Sequence, residues 1–127
     1  MLACKSNHPR ILLADDDLEF VNVAISVMEG AGASVVHARD GQAAVRESQN
    51  GVVAAVVDVL LARLDGVSLV EKIRATKGPD FPIVVCTKVP VDPAWSQRHH
   101  VRVLRKGTFS LYEFSRAVRE ALQKAQR

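Results

Sequence analysis

Five short apolar runs recur along the chain, and their spacing most constrains the fold. Four of them are almost entirely apolar, which is typical of strands buried on both faces of a parallel sheet. These four are residues 10–14, 52–58, 82–87 and 101–104. The remaining run, residues 34–38, is predicted to lie nearer an edge because His37 interrupts it.

The segments between these runs carry helical periodicity. Apolar side chains recur every three or four residues from Leu18 to Met28 and again from Leu111 to Ala125, so each segment predicts one apolar helical face. The predicted helices span residues 18–31, 41–50, 66–77 and 108–126. Alternating strands and helices predict a single α/β domain with a doubly wound parallel sheet and helices on both faces.

Residues 88–100 interrupt the pattern. They contain two prolines and little periodicity, so the fourth helix is predicted to be short, with two turns at most. Trp95 is either a core side chain beneath this segment or an exposed anchor for a partner, and both interpretations stay open. His99 and His100 are not predicted to bind a metal, because adjacent histidines do not share a face.

The composition fits one cytoplasmic domain. The chain has 127 residues, of which 48% are apolar, and we take residues 1–9 as an N-terminal extension and residues 10–127 as the domain. No apolar run approaches the roughly 20 residues that span a bilayer, and the N-terminus lacks the apolar core of a secretory signal. Cys4 and Cys86 form no C-x-x-C motif and are interpreted as reduced thiols, Cys86 as a core side chain.

Charge is unevenly distributed along the chain. Residues 1–60 hold 4 basic and 8 acidic side chains, a net charge of −4, whereas residues 61–127 hold 13 basic and 6 acidic side chains, a net charge of +7. A basic half is one feature of nucleic-acid-binding proteins. No basic run is dense and no aromatic side chains interleave with it, so we prefer solvated helix faces and do not expect direct nucleic-acid binding.

Acidic side chains follow two of the predicted strands. Asp15, Asp16 and Asp17 come directly after the first strand, and Asp58 ends the third. These strands are neighbours in a doubly wound sheet, where ligands bind beyond the carboxyl ends of the strands. Crowded carboxylates repel one another, and a hard divalent cation such as Mg²⁺ relieves that repulsion. Asp17 and Asp65 are predicted to cap the first and third helices.

Two further polar side chains fall at the same edge of the predicted sheet. Thr87 ends the fourth strand, and Lys106 follows the fifth. A hydroxyl donor, a cation and a metal ion that converge on one carboxylate describe a site for a phosphoryl group.

These residues belong to four motifs that occur in order along the chain, LLADDD, VVDVLLARLDG, IVVCT and VLRKG. Together they resemble the receiver domain of bacterial two-component response regulators, from Arg10 to about Gln126. The second motif is the most specific, because the family's acceptor Asp, a later Asp and the Gly after it recur as Asp58, Asp65 and Gly66. The resemblance implies a flavodoxin-like fold with strand order 2-1-3-4-5, and a signalling protein rather than an enzyme.

The resemblance implies a role for each polar residue. Asp58 would be the phosphoacceptor, which attacks the phosphohistidine of a sensor histidine kinase or a histidine phosphotransfer protein. Thr87 would donate a hydrogen bond to one phosphoryl oxygen, and Lys106 would pair with another. The domain would then signal by conformational change to an output domain or a protein partner.

The resemblance also implies a Mg²⁺ site. Asp16 and Asp58 would bind the ion directly, together with the backbone carbonyl of Leu60. Asp15 would act mainly through a metal-bound water. Such a set of oxygen ligands and waters is what Mg²⁺ prefers.

The chain departs from the family pattern in the segments around this site. Ala62 stands where the family usually has proline, Val103 replaces an aromatic side chain, and Lys88 replaces a small residue. Gly107 replaces a proline after the site lysine, and a cis bond there would cost about 2.5–4 kcal/mol, so either that strain is tolerated or the lysine is presented differently. We expect intact phosphorylation chemistry and an atypical conformational response, and residues 88–126 form a candidate homodimer face.

Two other functions share some of these residues. A hydrolase of the haloacid dehalogenase type also uses an Asp nucleophile and Mg²⁺, but it needs a second Asp where Leu60 stands. A pseudo-receiver uses the same fold for protein binding without phosphorylation. The missing aromatic side chain and the short fourth helix favour that alternative, whereas the complete set of polar residues opposes it.

Overall fold

The computed structural model describes residues 8–63 and 65–126, which alternate between strands and helices. The strands are β1 (Arg10–Ala14), β2 (Ser34–Ala38), β3 (Val52–Val57), β4 (Ile83–Thr87) and β5 (Arg102–Arg105). The helices are α1 (Leu18–Gly30), α2 (Gly41–Ser48), α3 (Gly66–Lys77), α4 (Pro93–Arg98) and α5 (Leu111–Ala125). Most of the proposed N-terminal extension, including Cys4, lies outside the described residues.

The strands form one parallel sheet in the order β2-β1-β3-β4-β5, which confirms the predicted doubly wound fold. Every residue of β4 is buried, and so are all residues of β1 after Arg10. Successive side chains point to opposite faces of the sheet, so Ile11 and Leu12 enter different apolar clusters. Cys86 is a core residue as predicted, and burial raises the pKa of its thiol to about 12.

Strand β5 lies at an edge of the sheet, and the prediction that residues 101–104 are buried on both faces is wrong. Arg102 and Arg105 are exposed, and Leu104 is the one buried residue of the strand. The strand pairs with β4 on one side only, so its other side is left without a neighbouring strand. Strand β2 forms the opposite edge, in agreement with the position predicted from His37.

Helices α1 and α5 cover one face of the sheet with an aromatic cluster. Phe114 of α5 is fully buried. The ring of Phe20 meets Phe114 edge-on at a centroid distance of 5.7 Å and Phe109 at 6.2 Å. This cluster fixes the start of α1 against the loop before α5, and both segments border the polar edge of the sheet.

Helices α2, α3 and α4 cover the other face. Helix α4 is short, as predicted, and Trp95 is only 8% exposed within it, which confirms the core interpretation of this side chain. The Trp95 indole N–H donates to Glu71 on α3 at 3.3 Å. The Arg74 guanidinium donates to the carbonyl oxygens of His99 at 2.9 Å and Phe81 at 2.6 Å. The bonds from Trp95 to Glu71 and from Arg74 to His99 attach α4 to α3, and the bond from Arg74 to Phe81 holds the loop before β4.

Each helix begins at a polar residue whose side chain accepts a hydrogen bond from the first turn. Asp17 accepts from the Phe20 N–H at 3.4 Å and Asp65 accepts from the Ser68 N–H at 2.9 Å, so both predicted caps are confirmed. The other capping residues are Asp40, Asp92 and Ser110. In the described part of the chain, no helix has the length and apolar character needed to cross a bilayer.

The first residues of α1 and α5 do not belong to buried helical faces, contrary to the periodicity. Leu18 is 52% exposed and Leu111 is 58% exposed, whereas Val21 and Phe114 one turn later are buried. Both leucines lie in the first turn, beside the polar edge of the sheet, where no described element covers them. Periodicity predicts the direction of a side chain but not whether a neighbour covers it.

Candidate functional site

The candidate site lies at the carboxyl edge of the sheet. Asp15 directly follows β1, Asp58 directly follows β3, and Lys106 directly follows β5. Hydrogen bonds between backbones continue past the strand ends and fix these positions. The Asp58 N–H donates to the Ala14 carbonyl at 2.9 Å, and the Lys106 N–H donates to the Thr87 carbonyl at 2.8 Å.

The Lys106 ammonium joins the acidic side chains of the site. Its Nζ atom lies 2.9 Å from Oδ2 of Asp15, 2.9 Å from Oδ2 of Asp58 and 3.4 Å from Oδ2 of Asp17. It also lies 4.5 Å from the centroid of the Phe20 ring, in a cation–π arrangement. Only 6% of the Lys106 side chain is exposed, so water screens these charges weakly.

Both oxygens of the Asp58 carboxylate have a partner. Oδ2 accepts a hydrogen bond from Lys106, and Oδ1 accepts the backbone N–H of Leu60 at 3.0 Å. The carboxylate is therefore held in one orientation at the bottom of the loop between β3 and α3.

Burial and nearby charges shift the pKa values of Asp15, Asp17 and Lys106. Burial raises the pKa of Asp15, and the Lys106 ammonium 2.9 Å away offsets this only in part. Burial opposes the charge of Lys106, but Asp15 and Asp58 outweigh it and raise the pKa of the ammonium. Burial acts to raise the pKa of Asp17, but the Phe20 N–H, Lys106 and Lys88 together outweigh it and lower the pKa of this carboxyl.

The carboxylates predicted to bind Mg²⁺ are only partly gathered. Asp15 and Asp58 meet at Lys106, whereas Asp16 is exposed to solvent. Within residues 8–63 and 65–126, no three histidine, cysteine, aspartate or glutamate side chains are grouped closely enough to hold a metal ion. The Leu60 N–H faces Asp58, and the Leu60 side chain is exposed.

The oxygen donors nevertheless have the chemistry that suits Mg²⁺. Oδ2 of Asp15 is buried and, despite its charge contact with Lys106, takes part in no directed hydrogen bond with any described residue. A buried carboxylate oxygen without a directed donor is a ready ligand for a hard cation or for a water that the cation holds.

Thr87 reaches the same edge but does not contact the carboxylates. Its side chain is fully buried, and its Oγ1 accepts the backbone N–H of Val89 at 3.4 Å. The structure thus brings Asp15, Asp58 and Lys106 together, with Thr87 at the end of the neighbouring strand.

Asp17 and Phe20 contribute to the site in ways that the sequence did not reveal. Asp17 was predicted only as a cap, yet its Oδ2 also lies 3.8 Å from the exposed ammonium of Lys88. Phe20 forms the apolar wall under Lys106. The one available signal was their spacing, because residues three apart in a first helical turn lie on the same side of the helix.

Gly66 lets α3 approach the backbone of Asp58. A Cβ atom at Gly66 would lie 2.2 Å from the Asp58 carbonyl oxygen, closer than any real contact. The Gly66 N–H donates to the Val59 carbonyl at 3.0 Å. A side chain at this position would push the helix away from the loop that carries Asp58.

The loop after Lys106 avoids the strain of a cis peptide bond before Gly107. None of the peptide bonds in the described residues is cis, so the bond between Lys106 and Gly107 is trans. Gly107 has a φ of 89°, which a glycine adopts readily and other residues do not. The glycine therefore turns the chain toward α5 in place of the proline that the family usually has.

The chain matches a known protein family. A model of the response regulator receiver domain matches residues 11–104, which include Asp15, Asp58 and Thr87, while Lys106 lies just beyond them. No sequence among the curated proteins matches the chain.

Solved receiver domains share the fold at low sequence identity. A CheY-like receiver protein from Methanospirillum hungatei JF-1 aligns with a TM-score of 0.82 and 19% identity over 94% of this chain and 98% of its own. The receiver domain of the Francisella response regulator 1452 aligns with a TM-score of 0.80 and 23% identity over 92% of this chain and 98% of its own.

A third neighbour is the receiver domain of the sensor histidine kinase PA1611 from Pseudomonas aeruginosa PAO1, which has a magnesium ion coordinated in its active site cleft. It aligns with a TM-score of 0.77 and 26% identity over 91% of this chain and 98% of its own. With the strand order described above and a family match over most of its length, the chain belongs to the response regulator receiver domain family.

Proposed function

We propose that this domain accepts a phosphoryl group on Asp58 from a phosphohistidine of a sensor histidine kinase or a histidine phosphotransfer protein. The observation that carries the proposal is the buried ammonium of Lys106, 2.9 Å from both Asp58 and Asp15. An oxygen of Asp58 attacks phosphorus, the P–N bond of the donor breaks, and its electron pair returns to the imidazole. Lys106 neutralises charge that gathers around the transferred group.

A magnesium ion belongs to this proposal. Asp15, Asp16, Asp58 and the Leu60 carbonyl would hold it, and the P. aeruginosa neighbour with magnesium in its cleft supports this assignment. When bound, the ion supplies positive charge that neutralises the phosphoryl oxygens. The chain's own contribution is to hold Asp58 through the Leu60 N–H and to keep Lys106 in a site with little water.

Thr87 and Lys106 recognise the phosphorylated state. Lys106 exchanges the Asp58 oxygen for a phosphoryl oxygen, and the Thr87 hydroxyl donates to another. The Thr87 hydroxyl can do so because its present hydrogen bond uses it as an acceptor only, from the Val89 N–H. The resulting change passes to an output domain or a protein partner in the cytoplasm, so the domain acts as a signalling module rather than as an enzyme.

The phosphodonor protein is expected to dock beside Lys106. A gap of about 330 Å³ between α1 and the loop before α5 opens onto Lys106. Its walls include the apolar side chains of Phe20, Val23, Phe109 and Leu111. Val23 and Leu111 are exposed, so this surface offers apolar contact next to Lys106, whose ammonium lies 2.9 Å from Asp58.

The pseudo-receiver remains the second candidate, because Asp16 is not gathered with Asp15 and Asp58. The test is to incubate the protein with Mg²⁺ and a small phosphodonor and to measure its intact mass. A gain of one phosphoryl group that is absent from Asp58→Asn and present in Asp80→Asn supports the proposal. No gain in the unmodified chain would favour the pseudo-receiver.

A further inference from the structure

A second groove lies on the other side of the candidate site, between the start of α3 and the segment from Val89 to Trp95. It is open to solvent and has a volume of about 430 Å³, within the range of specific binding pockets. The apolar side chains of Val59, Val91 and Trp95 line it. We name this feature the α3–α4 groove.

The rim of the α3–α4 groove is acidic. Asp65 and Asp92, which cap α3 and α4, are the charged residues that line it, and no basic side chain does so among the described residues. Both carboxylates are exposed. The N–H of Ser68 lowers the pKa of Asp65, so this carboxyl stays ionised at neutral pH. Apolar surface also continues onto the rim, where Val67 is 37% exposed.

We propose that the α3–α4 groove binds an amphipathic helix of a partner protein, with apolar side chains seated in the groove and lysine or arginine beside them. The apolar lining recovers free energy when large side chains displace its water. The carboxylates of Asp65 and Asp92 attract the basic side chains at the rim. The same carboxylates repel phosphate groups, so a nucleic acid or an acidic peptide is a poor occupant.

The groove is connected to the phosphorylation site through its wall, and this step rests on the proposed function. Val59 directly follows Asp58 in the chain, and the Val89 N–H donates to Oγ1 of Thr87. Thr87 does not contact Asp58, so its hydroxyl must shift to donate to a phosphoryl group. This shift lengthens the bond from the Val89 N–H, which is already 3.4 Å, and the segment beginning at Val89 loses that anchor. Phosphorylation therefore weakens binding of the helix, and by linkage the bound helix disfavours the phosphorylated state by the same factor.

The probes for the groove are peptides selected from a random phage-displayed library by panning against the full chain. The selected peptides are then synthesised, and their affinity for the chain is measured by fluorescence anisotropy. The selected peptides are expected to carry large apolar residues three or four positions apart with flanking lysine or arginine. Val67→Glu should lower their affinity by at least about tenfold. Ala75→Glu, which adds the same charge at an exposed site further along α3, should leave the affinity unchanged.

A second pair of variants tests the charges without disturbing the helices. Asn caps a helix as well as Asp does, so Asp65→Asn and Asp92→Asn should each lower the affinity about threefold and reduce its dependence on salt. Asp80→Asn, which removes the charge of an exposed carboxylate that does not line the groove, is the control. Selected peptides without basic residues, or peptides that bind Val67→Glu and the parent chain equally well, would overturn the proposal.

Further measurements separate this proposal from self-association of the chain and from the proposed phosphorylation of Asp58. Self-association of the chain that Val67→Glu abolishes, measured by sedimentation, would assign the groove to a second copy and overturn the peptide assignment. Peptide binding is measured on the unphosphorylated protein, so binding that depends on the groove stands even if Asp58 takes no phosphoryl group. A beryllium fluoride mimic of the phosphoryl group should weaken the binding, and an unchanged affinity would contradict the coupling to Thr87.

Discussion

The two faces of the sheet differ in how firmly they hold the candidate site. On one face, α1 and α5 enclose a cluster of phenylalanine rings, and the Lys106 ammonium rests on the ring of Phe20. On the other face, α4 has only six residues and borders an open groove. The residues that carry the proposed phosphoryl chemistry follow the family pattern. Of the four departures, Ala62 and Lys88 lie in the loops that lead to α3 and α4, whereas Val103 lies in β5 and Gly107 in the loop after it. The comparison teaches that the residues of the candidate site are supported unequally, by a close-packed aromatic cluster on one face and by a short helix beside an open groove on the other.

The largest difference between the two faces is expected in stability. Phe114→Ala removes a fully buried ring from the close-packed face and should lower the free energy of unfolding by about 3–5 kcal/mol. Trp95→Ala should cost less, because the neighbouring short helix and open groove can collapse into the space. Urea unfolding with an unchanged m-value measures both. An equal or larger loss for Trp95→Ala would remove the distinction between the faces.

The sequence predicted the central part of the molecule better than its borders. The apolar runs of β1, β3 and β4 predicted buried strands correctly, because a strand covered on both faces carries apolar side chains at nearly every position. The burial predicted for residues 101–104 and the apolar face at Leu18 and Leu111 were wrong. Exposure at a sheet edge or in a first helical turn depends on which neighbour is present, and local periodicity carries no information about that.

The candidate site shows the same division. The motifs placed Asp15, Asp58 and Lys106 at one edge because parallel strands all end there. They did not reveal the contact between Lys106 and Phe20, which joins residues far apart in the chain. They also did not reveal that Asp16 faces solvent, since the alternating direction of side chains no longer holds once the chain leaves the strand.

Removal of the Lys106 ammonium should give the next largest loss in the free energy of unfolding. Lys106→Met leaves Asp15 and Asp58 buried without a counter-charge and should cost about 3 kcal/mol at neutral pH, near the low end for a broken buried ion pair because Asp15 can take up a proton. Lys88→Met removes an exposed lysine that contacts only Asp17 among these acids and should cost less than about 1 kcal/mol.

The pH dependence of stability distinguishes these two lysines. Asp15 and Asp58 raise the pKa of Lys106 above its usual value of 10.5. Its stabilising contribution is therefore fully present below pH 10.5 and is lost as the pH rises through the folded-state pKa. Unfolding followed across this range should show a smaller alkaline loss for Lys106→Met than for the parent chain and Lys88→Met. Identical profiles would contradict the ion contacts of Lys106.

The two capping aspartates give a smaller and matched comparison. Asp17→Asn keeps the cap of α1 but loses the contacts with Lys106 and Lys88, so it should lower the free energy of unfolding by about 0.5–1 kcal/mol. Asp65→Asn keeps the cap of α3, and Asp65 is not among the residues that pair with a lysine, so its stability should change by less than that. Thermal unfolding of both variants at low and high salt measures the difference. A salt-independent loss in Asp17→Asn would contradict the electrostatic origin.

The smallest expected effect is a change in the amide exchange of α4 on phosphorylation. Arg74 and Glu71 of α3 hold this helix, and Val103 cannot act as the aromatic switch of the family. Amide exchange measured with and without a phosphoryl mimic should therefore show modest protection changes in α4 and broader changes around the site loops. Strong changes confined to a family-like switch within residues 87–106 would contradict this expectation. Arg74→Gln, which removes the bonds to the carbonyls of His99 and His100 directly after α4, should increase exchange in α4.

The most direct test of the central claim is to locate the phosphoryl group chemically. The protein is incubated with Mg²⁺ and a small phosphodonor, reduced with borohydride, and digested for peptide mass analysis. An aspartyl phosphate is reduced to homoserine, so we predict homoserine at position 58 in the parent chain and a markedly lower yield when Mg²⁺ is chelated. Homoserine at another aspartate, or none at all under conditions that keep the protein folded, would contradict the assignment of Asp58.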